Sequence, residues 1–102
     1  MRQAAFHVGQ LIDHAKFGYR GVVFSVDAVF SLTDKWYEAV ARSRPPKDAP
    51  WYHVLVSESS TTTYVAERNL LAAVSAEPVE HPLIEEFFSG FDGRCYVPRD
   101  MH

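Results

Sequence analysis

Trp51-Tyr52-His53-Val54-Leu55-Val56-Ser57 is the stretch on which the fold turns. Tyr52, Val54 and Val56 alternate with Trp51, His53 and Leu55, so both faces carry large side chains that need cover, as in a strand inside a sheet. The polar run Ser57-Glu58-Ser59-Ser60 follows as a turn, and Thr61 to Val65 is β-branched and aromatic, which predicts a hairpin partner. Ala66 to Asn69 reads as one tight turn before a last short strand, Leu70 to Val74. Upstream, Pro45, Pro46 and Pro50 stop a helix and extend the chain, leaving Arg42, Arg44, Lys47 and Asp48 on a solvated loop. The helix itself is expected over Leu32 to Ala41, with Ser31 and Asp34 at capping-box spacing and Trp36, Tyr37, Val40 and Ala41 at helical spacing.

The N-terminal third predicts a second hairpin. Phe6 to His14 alternates as a half-buried strand, and Gly18 and Gly21 within Lys16 to Gly21 permit a tight reversal. Val22 to Phe30 forms the return strand, with Val22, Phe24 and Val26 on one face and Ser25 and Asp27 on the other. Five short strands and one inserted helix indicate a mainly β fold, a small antiparallel SH3-like β-barrel. Beyond Ser75 the composition changes. Pro78 and Pro82 break the chain, and Leu83, Phe87 and Phe91 with Ile84 and Phe88 make a helical stripe over Glu85 and Glu86, predicting a short C-terminal helix. The chain thus divides into a barrel domain, 1–74, and an acidic, Phe-rich extension, 75–102.

At 102 residues, 47% hydrophobic and 23% charged, the chain has the size of one globular domain, and its seven Phe, five Tyr and two Trp require an aromatic core. The net charge of −3 argues against tight non-specific binding through DNA phosphates, which needs concentrated Lys and Arg. Residues 1–74 carry a net +1 and the segment from Ser75 onward −4, so the tail supplies all the net negative charge. A single cysteine, Cys95, excludes an intrachain disulfide framework, and no apolar run approaches a membrane span; a soluble, cytoplasmic protein is expected.

Chemistry-bearing motifs are scarce. His7, His14, His53, His81 and His102 form no metal-ligand spacing, no phosphate-binding or dinucleotide loop is present, and the serines stand in cap and turn contexts. No cofactor, metal or catalytic residue is expected. His53 reads as a histidine satisfied by a neighbour within the sheet. Two features could contact a partner. In the loop from Lys16 to Gly21, Lys16 and Arg20 bracket Phe17 and Tyr19, a mix of cations and aromatics suited to bases or an extended peptide. The C-terminal stripe, with Phe87 and Phe88, must be covered by the barrel, a second subunit or a client.

Several blocks together resemble the heat shock protein HspQ family, also known as YccV-like or hemimethylated-DNA-binding. They are Phe6-His7-Val8-Gly9-Gln10; His14 to Val23 with Asp27 and Phe30-Ser31-Leu32; Ala49-Pro50-Trp51-Tyr52-His53-Val54-Leu55-Val56; and Thr63-Tyr64-Val65-Ala66-Glu67 with Asn69 and Leu70. The resemblance spans about Phe6 to Leu71. It implies a small barrel-like β fold without enzyme activity, cytoplasmic and homo-oligomeric, as a trimer. It also implies one of two roles: an adaptor or specificity factor that promotes degradation of denatured or regulatory proteins by the Lon protease under heat stress, or a regulator that binds hemimethylated DNA and affects replication-initiator expression. The scattered cations and acidic tail favour the first. Candidate contacts for protease, substrate or DNA are Lys16, Phe17, Tyr19 and Arg20, Arg42 and Arg44 in the proline-rich loop, and Phe87 and Phe88.

Overall fold

β1 (Leu11–His14), β2 (Arg20–Asp27), β3 (Trp51–Val56), β4 (Thr62–Ala66) and β5 (Leu70–Ala72) make one antiparallel sheet in the order β4-β3-β2-β1-β5. The computed structural model describes residues 3–99; Arg2, Asp100 and His102, which enter the counts above, lie outside them. β3 is flanked on both sides, by β2 and β4, as its two apolar faces require. Ile12, Val23, Tyr52, Val54, Val65 and Leu70 fill the concave interior. The edge strands β4 and β5 are not paired with each other; the single 3-10 turn Glu67–Asn69 links them. This is the mainly β, antiparallel architecture that the alternation predicts.

The second hairpin strand departs from simple alternation. A bulge between Val23 and Ser25 resets the register, so Val22 and Phe24 lie on the outer face while Val23 and Val26 both pack on the interior. Val26 therefore does not share a face with Val22. β1 is also shorter than the expected Phe6 to His14. Gly9, at φ +94, turns the chain before it, and a Cβ there would stand 2.1 Å from the Tyr96 carbonyl oxygen. Of the two glycines expected to make the reversal, only Gly18 has positive φ; Gly21 lies within β2 against Leu55.

Helix α1 (Asp34–Val40) packs over the Trp51 end of β3. Its cap is Thr33, not Ser31: the Thr33 hydroxyl accepts the Trp36 N–H at 3.1 Å, whereas Ser31 donates its N–H to the Tyr64 hydroxyl. Tyr37, Ala41, Trp51 and Ala66 form the buried centre there, with Phe30, Trp36 and Tyr64 around it. The proline-rich loop is tied to this cluster from inside, since Tyr37 donates its O–H to the Pro45 carbonyl and Trp51 its ring N–H to the Pro46 carbonyl.

The C-terminal segment covers the other end of the same outer face. Val79, Phe88 and Tyr96 join Leu11, Val22 and Leu55 in one cluster, and the Tyr96 hydroxyl bonds both the N–H and the C=O of Val79. The expected helical stripe is corrected here. Helix α2 is only Ile84–Phe87, and the chain then extends into the hairpin β6 (Phe88–Phe91) and β7 (Tyr96–Pro98). Asp92-Gly93 makes the turn: the Asp92 carboxylate accepts the N–H of Arg94 and of Cys95, which hold it below the usual carboxylate range, and Gly93 has φ +98.

Candidate binding groove

An open groove of about 620 Å³ runs between the tip of the β1–β2 turn, helix α1 and the edge strand β4. Its walls are aromatic: Phe17 and Tyr19 from the turn, Trp36 from the helix and Tyr64 from the strand. Among the described residues Lys16 and Arg42 are its cations, and no carboxylate lines it. The turn and the proline-rich loop, separate in sequence, thus meet at one site.

His14 builds the turn. Its side chain is buried at the end of β1, and Nδ1 accepts the N–H of Lys16 at 3.1 Å and of Phe17 at 3.0 Å. Its ring lies between Phe17, stacked 4.7 Å away, and Tyr19 at 4.9 Å. Burial, and then the Lys16 charge, depress the His14 pKa, so the neutral ring is the form that fits. The consequence is display: Phe17 remains 77% exposed on a well-anchored turn. Tyr19 is fixed by a 2.8 Å bond between its hydroxyl and that of Thr63, and burial raises its pKa.

Tyr64 is fixed from behind. Its hydroxyl donates to Asp27 Oδ2 at 2.8 Å and accepts the Ser31 N–H at 3.0 Å. Burial and the Asp27 bond push its pKa up to about 12. His53 Nε2 stands 3.1 Å from the same Asp27 oxygen, so this strand histidine is satisfied by a neighbour as expected. Among the described residues no three His, Cys, Asp or Glu side chains gather at metal-binding distance.

The eight contact candidates separate. Lys16, Phe17, Tyr19 and Arg42 line the groove. Arg44 lies outside the lining, exposed and paired with Glu38 at 3.0 Å with its guanidinium over the Tyr37 ring. Arg20 is turned away from Lys16: its guanidinium donates to the carbonyls of Ser75 and Glu77, so it braces the C-terminal segment. Phe88 is 2% exposed within the core, and Phe87 packs on Phe24 with ring centroids 4.7 Å apart. These two rings are covered by the protein's own sheet. Trp36, Tyr64 and His14 are the groove residues that the sequence reading did not single out, although Trp36 and Val40, four apart on one helical face, both line it.

A family model described as YccV-like, hemimethylated DNA-binding protein YccV like, matches residues 4–95. The match runs well past Leu71 and takes in most of the C-terminal segment that covers the sheet.

Proposed function

Because the chain belongs to the YccV-like family, we propose that it is a non-catalytic binding module, a stress-related specificity factor that promotes degradation of denatured or regulatory proteins by a cytosolic Lon-type protease. The observation that carries this reading is the groove. It is apolar and aromatic, open along its length and held on anchored rings, which suits the extended apolar segments that denatured chains expose. In this reading the module works in the cytoplasm as a homo-oligomer, a trimer, and the described part of the C-terminal extension, residues 75–99, braces the sheet rather than contacting clients. Among the described residues no helix is long and apolar enough to cross a membrane.

The test is a purified degradation assay with a Lon-type protease and a denatured substrate, following both the substrate and this protein. Faster substrate loss while the module persists supports the proposal. No acceleration by a folded preparation refutes it, and loss of the module itself at the substrate's rate marks it as a client.

A second reading, binding to hemimethylated DNA, is favoured by the family description and by Lys16 and Arg42 in a groove that no carboxylate of the described residues lines. It predicts affinity that falls with salt at a log–log slope of about −0.9 per phosphate contacted. A duplex with one methylated strand, titrated against its unmethylated counterpart over a salt series, measures this.

A further inference from the structure

β4 is an edge strand, paired with β3 alone. The Val56 N–H meets the Thr61 carbonyl and the Glu67 N–H meets the Pro50 carbonyl, both at 3.1 Å, which fixes the alternation along the ladder. The backbone groups of Thr63 and Val65 accordingly face β3, while those of Thr62 and Tyr64 face outward. Among the described residues no backbone or side-chain group bonds the outward N–H and C=O of Thr62 and Tyr64. All five β4 residues line the groove.

We propose that the groove binds an extended, apolar polypeptide segment with an acidic flank, which adds to β4 as a further strand. The inference rests on the reading of the groove as the binding site and supplies its ligand chemistry. A peptide strand presents donors and acceptors in alternation, matching the outward N–H and C=O groups of Thr62 and Tyr64. A phosphodiester backbone offers only acceptors to those carbonyls, so the edge favours polypeptide over nucleic acid. Side chains of the added strand alternate between two walls, one of Trp36 and Tyr64, the other of Phe17 and Tyr19. Lys16 and Arg42, with no carboxylate in the lining among the described residues, favour acidic residues where the segment leaves the groove.

The probe is a fluorescein-labelled peptide of alternating Val and Thr ending in two Asp, with an analogue N-methylated at alternate amides. Fluorescence anisotropy against the full chain should give saturable binding of the first and about tenfold or weaker binding of the second. Thr62→Pro removes an outward N–H on an exposed edge residue without touching the β3 ladder, so it should keep its thermal melt and lose affinity by a similar factor. Equal binding of the methylated and unmethylated peptides, wild-type affinity in a folded Thr62→Pro variant, or no saturable binding overturns strand addition. The degradation assay separates the two readings. If Thr62→Pro stimulates degradation as the wild type does, strand addition fails while the specificity-factor reading stands. If the wild type stimulates nothing yet both binding losses occur, the specificity-factor reading fails and strand addition stands.

Discussion

The imidazole of His14 holds Phe17 twice, accepting its backbone N–H at Nδ1 over 3.0 Å and stacking on its ring at 4.7 Å. The hydrogen bond relies on the neutral ring, because protonating Nδ1 removes the acceptor that also binds Lys16.

A pH dependence follows. The folded His14 pKa lies below its ordinary 6.5, so the contribution is fully present above about 6.5 and is lost as pH falls through the depressed folded value. Thermal melts from about pH 7.5 to 5 should show a fall in Tm that His14→Asn, which keeps an acceptor but does not titrate, reduces. An unchanged pH profile in that variant would show that other groups carry the dependence.

Tyr64→Phe removes a hydroxyl that both donates to Asp27 and accepts from Ser31. The expected cost in urea unfolding is about 1–2 kcal/mol. Tyr52 and Tyr64 are both pushed up to about 12, so spectrophotometric titration of the variant should lose one of the two phenols that titrate near 12. With raised folded pKa values, their stabilisation is complete below about pH 10 and disappears as pH climbs through about 12.

Phe88→Ala should destabilise the fold by about 3–5 kcal/mol, since the ring is buried against Tyr96. Phe87→Ala, at a half-buried site against Phe24, should cost less. Any loss of partner binding in the Phe88 variant should track its unfolded fraction, as read by circular dichroism under the binding conditions.

Gly9→Ala combines an unfavourable φ with a Cβ 2.1 Å from the Tyr96 oxygen. A loss of at least about 1 kcal/mol is expected, with early hydrogen exchange at the Tyr96 amide, which bonds the Gly9 carbonyl at 2.8 Å. Exchange at Val54, inside the sheet, should change only with global stability.

Alternation and breakers made much of this fold legible. Trp51 to Val56 declares a covered strand, and the three prolines after Arg44 mark the end of α1 and the approach to β3. Helical spacing misled at Leu83 to Phe91, because Phe87 and Phe91 are also four apart when a chain passes from one helical turn into a strand. Asp92-Gly93 carried the competing hairpin signal. The bulge at Val23 and Ser25 depends on the partner strand, so the position of Val26 was not written in β2 alone. The groove was half legible: Lys16, Phe17, Tyr19 and Arg42 were readable as exposed cations and aromatics. Their meeting with Trp36 and Tyr64 is tertiary, set by the helix lying over Trp51 and the sheet curling toward Tyr19.

The bond between Gly9 and Tyr96 joins positions near opposite ends of the chain, and Leu11, Val22 and Leu55 wait for Val79, Phe88 and Tyr96 before their outer surface is closed. During synthesis the sheet can therefore form before it is sealed. A nascent chain stalled short of Val79 would present the kind of uncovered apolar surface on which cellular quality control acts.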